Sequence, residues 1–97
     1  MQIVFNGLTL DLGFAKYSNG RTAITMTDSE DGAPCGKASV NVEADLTDDQ
    51  IAIKNYNENE GILSVLVEAG IVSEPFGVIE SGFVQIPVCN LLVKPSV

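Results

Sequence analysis

The chain has 97 residues and a net charge of −8, which arises from 13 acidic and 5 basic side chains, and it contains no histidine. This length predicts one domain over residues 1–97, and an apolar fraction of 45% provides a hydrophobic core that disordered chains lack. A field of negative sign repels phosphate groups, so we expect neither direct nucleic-acid binding nor attraction to anionic membranes.

The start of the sequence bears on cellular location. Residues 1–5 have no basic group of the kind that begins a secretion signal. No stretch of the chain approaches the roughly 18 apolar residues that a membrane span requires. We therefore expect a cytoplasmic protein, in which Cys35 and Cys89 stay reduced and are buried as small apolar side chains.

The first half of the chain predicts an antiparallel meander. Asn6 and Gly7 tolerate the positive φ angles of a type I′ turn, which predicts a tight hairpin at the start. Alternating apolar residues and further turn-forming residues follow. We predict three or four antiparallel strands, from the β-prone runs over residues 3–5, 8–17, 21–27 and 35–42.

The middle of the chain predicts a helix over about residues 58–69. Asn57 and Glu60 have the spacing of a capping box, in which each side chain satisfies a backbone N–H of the first turn. One stripe of the helix is apolar and should pack on the sheet. Its residues are Ile62, Leu63, Leu66 and Val67. Gly70 is a typical residue to end the helix.

The last third returns to β character. Short apolar runs predict extended segments over residues 51–53, 71–72, 78–79 and 82–89. Because Pro87 has no N–H to donate, the last strand is predicted to lie at a sheet edge or to end there. The predicted fold class is α+β, an antiparallel sheet of about four to five strands with one helix packed on one face.

The chemistry of most enzymes is missing from the sequence. Without histidine the chain lacks the commonest general base and the commonest transition-metal ligand. The loop Asp28–Gly32 is weakly similar to a calcium loop, but its spacing differs and Glu43 comes too late to close it. We predict no catalytic residue, no metal and no cofactor, with an enzyme that uses two carboxylates as the remaining catalytic alternative.

Charge placement is the strongest functional pattern. Residues 28–60 hold nine acidic side chains against Lys37 and Lys54, which gives −7 of the total −8. If these carboxylates gather on one surface, they can occupy a basic channel in place of nucleic acid. We predict as partner-binding residues Asp28, Glu30, Asp31, Glu43, Asp45, Asp48, Asp49, Glu58 and Glu60. The alternative is that they belong to ordinary solvated loops.

Five segments of the sequence are similar to an uncharacterised family of short acidic proteins. They are Lys16–Ile24, Glu30–Pro34, Val40–Val42, Ile53–Gly61 and Ser81–Val88, and together they extend over nearly the whole chain. Proteins of this family look like accessory proteins of phages, plasmids and integrative elements of gut bacteria. The resemblance implies a genetic setting in a bacterial host, and it carries over no functional residue.

That setting leads to a functional hypothesis. Small acidic proteins of mobile elements include inhibitors of host defence, anti-CRISPR proteins among them. We expect an inhibitor, monomeric or a small homo-oligomer, that binds a basic nucleic-acid-binding protein such as a CRISPR effector. The alternative is a structural or adaptor protein that acts through an exposed sheet edge.

Overall fold

The computed structural model describes residues 1–42, 45–47 and 49–93 and gives an α+β fold, which confirms the predicted fold class. The strands are β1 (Gln2–Phe5), β2 (Leu8–Lys16), β3 (Thr22–Asp28), β4 (Pro34–Lys37), β5 (Gln50–Ala52), β6 (Gly77–Ser81) and β7 (Val84–Asn90). A 3₁₀ turn at Asn57–Asn59 precedes the helix α1 (Ile62–Glu68). Within the described ranges the strands form two antiparallel sheets, in the orders β1-β2-β3-β4 and β5-β7-β6.

The first sheet begins with the predicted hairpin. Asn6 has φ 51° and Gly7 has φ 77°, the left-handed pair that a type I′ turn requires. Beyond the turn, β2 pairs with β3 over seven consecutive residues, from Leu10 opposite Asp28 to Lys16 opposite Thr22. The local sequence therefore determines this part of the meander, because each connection is short and each turn has its own turn-forming residues.

The two sheets are joined where the predicted strand over residues 35–42 divides. The β3–β4 register shifts between Thr25 and Thr27, and β4 ends at Lys37. The chain then pairs with the end of β5, where Ser39 lies opposite Ile53 in an antiparallel bridge. The backbone N–H of Ile24 donates to the Ser39 hydroxyl at 2.9 Å. One continuous run of sequence thus serves both sheets.

The prediction for Pro87 is wrong, because β7 runs through it as the central strand of the second sheet. The carbonyl of Pro87 accepts a hydrogen bond from the Ile53 N–H at 2.9 Å, while the Ile53 carbonyl accepts from Asn55 instead. β5 ends at Ala52, one residue before the position opposite Pro87. No carbonyl of the ladder therefore needs the N–H that proline lacks. It is the neighbouring strand that ends at Pro87, and β7 continues.

The helix is shorter than predicted, and its capping residue differs. Asn57 lies in the 3₁₀ turn with φ 54° and forms no cap. The carbonyl oxygen of the Asn55 side chain accepts hydrogen bonds from the backbone N–H of Gly61 at 3.1 Å and of Leu63 at 3.0 Å. These two bonds satisfy N–H groups that a helix start leaves without partners. Gly70, with φ 73°, follows the helix as predicted.

The core lies between the first sheet, α1 and the β5 side of the second sheet. Its largest side chains with no exposed surface include Ile24, Ile53, Ile62 and Leu66. The predicted apolar stripe of α1 is therefore correct, with Ile62 and Leu66 buried and its other members partly buried. None of the helices in the described ranges combines the length and apolar character needed to cross a membrane.

Candidate functional site

The strands of the first sheet divide the molecule into two ends. We call the end that carries the Asn6-Gly7 turn and the β3–β4 loop the Gly7 end, because Phe5 pairs with Leu8 there and Leu10 pairs with Asp28. We call the opposite end, with the turn between Tyr17 and Arg21, the Gly20 end. A strand of the length of β3 spans roughly 20 Å at about 3.3 Å per residue, so carboxylates at different ends are far apart.

The β3–β4 loop places three carboxylates at the Gly7 end. Asp28 accepts a hydrogen bond from the Glu30 N–H at 2.9 Å, and Asp31 accepts one from the Ala33 N–H at 2.8 Å. These bonds hold the turn in shape, because each aspartate replaces water at a loop N–H. Glu30 is exposed, and within the part of the chain that is described no ion pair engages any of the three acids.

The segment before α1 brings two more glutamates to the Gly7 end. Gly61 lies against Phe5 of β1, since a Cβ atom at Gly61 would be 3.9 Å from Cε1 of the ring. Glu60 is exposed beside it. Glu58 forms an ion pair with Lys54, and this hydrogen bond lowers the pKa of Glu58 and raises the pKa of Lys54. One of the five carboxylates at this end is therefore already balanced by a cation.

Asp45 and Asp49 lie at the Gly20 end, away from the acids of the β3–β4 loop. Their neighbours Leu46 and Gln50 line a small cavity together with Tyr17 and Arg21. The side chains of Asn19 and Asn41 are hydrogen-bonded at 3.1 Å, which holds the segment after β4 against the turn between Tyr17 and Arg21. Both aspartates are exposed. Two further predicted partner-binding residues, Glu43 and Asp48, lie outside the described residues.

The predicted acidic residues are therefore separated into two sets. The larger set, at the Gly7 end, contains Asp28, Glu30, Asp31, Glu58 and Glu60. The smaller set, at the Gly20 end, contains Asp45 and Asp49. Among the described acids, the length of a strand separates Asp45 and Asp49 from the β3–β4 loop, so one surface does not unite them all, and Glu58 of the larger set also lines a groove with Tyr17 and Asn41. The Gly7 end is the surface that can offer several carboxylates to one partner.

A groove that sequence reasoning missed contains both tyrosines of the chain. It has a volume of about 390 Å³ and is also lined by Lys37 and Lys54. The Tyr17 hydroxyl is hydrogen-bonded to the Ser39 hydroxyl at 2.9 Å, and the Lys54 ammonium lies 5.8 Å from the centre of the Tyr56 ring. These partners give both aromatic residues a structural role at the junction of the two sheets.

The outer hairpin of the second sheet is a second feature that sequence reasoning missed. Phe76 and Val78 are more than half exposed, and Phe83 is fully exposed at the tip between β6 and β7. The tip is a two-residue turn, because Ser81 pairs directly with Val84. Gly82, with φ 60° at the first turn position, suits a type II′ turn. A glycine followed by an aromatic residue between two β-prone runs was the pattern that could have predicted it.

The two cysteines are both free, but their surroundings differ. Cys89 is buried on β7, and burial raises the pKa of its thiol to about 11, with a further contribution from the carboxylate of Glu74. A thiol that remains protonated at neutral pH is a poor nucleophile. Cys35 is half-buried on β4, against the expectation that both would be buried.

Neither metal ligands nor known relatives indicate an activity. In the described ranges, no group of three or more cysteine, aspartate or glutamate residues is arranged to hold a metal ion. No protein-family model, curated protein or solved structure matches the chain. The charges, exposed surfaces and contacts of this fold are the features that bear on its function.

Proposed function

We propose that this protein is a non-catalytic inhibitor that binds a basic, nucleic-acid-binding protein through the carboxylates of the Gly7 end. The observation that carries the proposal is the grouping of five acids there, from the β3–β4 loop and the segment before α1. Hydrogen bonds close the turn that carries Asp28, Glu30 and Asp31, and Glu60 precedes Gly61, which lies beside Phe5. A fixed set of anions loses less conformational entropy on binding than flexible side chains do.

The proposed mechanism is replacement of phosphate groups. A basic nucleic-acid channel has a high density of Lys and Arg and is normally occupied by DNA or RNA. Carboxylates of the Gly7 end would pair with those cations and exclude the nucleic acid. The interaction should weaken as salt concentration rises, because exposed charges are screened over about 8 Å at physiological ionic strength. Association should also be accelerated by the net charge of −8.

The setting that we propose is the cytoplasm of a bacterial host. The resemblance to short acidic proteins of phages and other mobile elements supports a role against host defence. An anti-CRISPR protein that covers the nucleic-acid channel of a CRISPR effector fits both the charge and this setting. Neither a cofactor nor a metal is needed for such an inhibitor.

Two variants of matched charge test where the partner binds. The Gly7-end variant combines Glu30→Lys with Glu60→Lys, and the Gly20-end variant combines Asp45→Lys with Asp49→Lys. Each exchange adds +2, so both variants change the net charge from −8 to −4. All four side chains are exposed, and surface exchanges of this kind usually change stability by less than about 0.5 kcal/mol. The variants therefore differ mainly in the position of the change.

The measurement is affinity capture from host lysate with wild type and both variants as baits, followed by quantitative mass spectrometry. We expect basic nucleic-acid-binding proteins on the wild type and on the Gly20-end variant, and their loss from the Gly7-end variant. Equal capture by all three baits would exclude the Gly7 end as the binding surface. Capture that only the Gly20-end variant loses would move the site to Asp45 and Asp49.

A further inference from the structure

The strand β6 forms an open edge of the second sheet. It pairs with β7 on one side, and among the described residues no strand pairs with its other side. It contains no lysine, no proline and no register shift against β7, the features that commonly shield a sheet edge. The contrast with β4 is clear, since the chain beyond β4 continues into a bridge with the end of β5.

The register determines which backbone groups face this open side. The two-residue turn makes Ser81 and Val84 a hydrogen-bonded pair, and such pairs alternate along an antiparallel ladder. The carbonyl of Pro87 points to β5, where it accepts the Ile53 N–H, so Val78 opposite Pro87 is not hydrogen-bonded to β7. The N–H and C=O groups of Val78 and Glu80 therefore point away from the sheet, where an added strand can pair with them.

The side chains around this edge combine apolar and acidic character. Val78 is 56% exposed, Phe76 is 54% exposed, and Phe83 extends from the tip of the hairpin. Glu80 is exposed on the same strand, and Val78 and Glu80 share one face because they are two residues apart. On this face an added strand would meet the apolar side chain of Val78 and, two residues further along, the acidic side chain of Glu80.

The charges nearby determine which partner fits. Residues 61–93 contain three glutamates and neither lysine nor arginine, and one of them, Glu74, lies close enough to Cys89 to raise the pKa of its thiol. A second copy of the chain would bring another net charge of −8 to an edge that is already acidic. A basic segment is attracted by the same field.

We propose that β6 binds an extended segment of a basic partner protein as an added strand. Apolar side chains of that segment would pack on Val78 and Phe76, and Lys or Arg side chains would pair with Glu80. Backbone hydrogen bonds would supply affinity, and the alternation of side chains would supply specificity. This surface is separate from the carboxylates of the Gly7 end, so the inference does not depend on the proposed function.

Val78→Pro tests the edge with little effect on the fold. The exchange removes the N–H of Val78, which faces away from β7, and proline is tolerated at edge positions of this kind. The probe is a fluorescent peptide in which valine and lysine are two residues apart, with threonine between them, so that both lie on the face of the added strand that meets Val78 and Glu80; its binding is measured by anisotropy. We expect affinity to fall at least about tenfold, because one edge hydrogen bond and the fit of the added strand are lost. Unchanged affinity would overturn the proposal.

Hydrogen exchange in the wild-type protein provides a test without any substitution. Peptide binding should protect the amides of Val78 and Glu80, and protection confined to other amides would overturn the proposal. If these amides become protected when only the protein concentration is raised, without peptide, the edge binds a second copy of the chain. That result would also overturn the proposal. The Gly7-end variant should show the same peptide-dependent protection as wild type, which separates this result from the outcome for the proposed function.

Discussion

The junction between the two sheets and the outer β6–β7 hairpin differ in how much of their apolar surface is exposed. At the junction, Ile24 and Ile53 have no exposed side-chain surface. The backbone N–H of Ile24 donates to the hydroxyl of Ser39, and Ser39 forms a β-bridge with Ile53. At the hairpin, Val78 and Phe83 are largely exposed. We infer that stability is concentrated at the junction, whereas the hairpin retains surface for contacts with another molecule.

The strongest test of this difference is Ile53→Ala. Ile53 is fully buried in the core, so truncation removes buried methyl groups and leaves a cavity. We expect a loss of about 2–5 kcal/mol in the free energy of unfolding, measured by urea denaturation. A loss below about 1 kcal/mol, the usual cost of much smaller core changes, would show that the junction does not concentrate the stability.

A smaller effect is expected for Ser39→Ala, which removes the hydroxyl that accepts the Ile24 N–H at 2.9 Å. The N–H would stay buried without a partner, at a cost of about 1–3 kcal/mol. Tyr17→Phe is the matched control, because it removes the other partner of the same hydroxyl and leaves the Ile24 bond intact. Denaturation midpoints should fall more for Ser39→Ala than for Tyr17→Phe, and the reverse order would contradict the assignment.

The helix cap should contribute less than the buried junction. Asn55→Ala removes both side-chain hydrogen bonds to Gly61 and Leu63, with an expected loss of about 0.5–2 kcal/mol. Asn57→Gly is the control, because Asn57 makes no cap and has a positive φ that glycine adopts readily. Thermal unfolding should separate the two variants, and an equal or larger loss for Asn57→Gly would restore Asn57 as the capping residue.

The smallest effect is expected at the hairpin tip. Phe83 is fully exposed, so Phe83→Ser should change the free energy of unfolding by less than about 0.5 kcal/mol. Calorimetry of the variant beside wild type measures this difference. A marked destabilisation would mean that the ring packs on the protein, and the contrast between hairpin and junction would then disappear.

Local chemistry made much of the fold predictable. The turn at Asn6-Gly7 and the end of α1 at Gly70 follow from residues that adopt positive φ, and the stripe of Ile62 and Leu66 follows from helical spacing. Pro87 could not be placed, because its position in a central strand depends on where β5 ends, far away in sequence. The capping residue of α1 could not be predicted either, because a 3₁₀ turn occupies Asn57–Asn59 and the helix starts after Gly61 instead of after Asn57.

The candidate site was predictable in its residue types but not in its arrangement. An excess of acids between residues 28 and 60 is a property of the sequence. Their division between two ends depends on the crossing from β4 to β5 at Ser39, which carries the chain toward the Gly20 end before it returns. The hairpin edge was missed because exposure of Val78 depends on strand order, and strand order is not encoded in local alternation.

Displacement of DNA from the captured partner tests the central claim most directly. Fluorescence anisotropy of labelled double-stranded DNA bound to that partner would be followed as wild type, the Gly7-end variant or the Gly20-end variant is added. We predict that wild type and the Gly20-end variant displace the DNA and that the Gly7-end variant does not. Equal displacement by both variants, or none by wild type, would contradict an inhibitor that acts through the carboxylates of the Gly7 end.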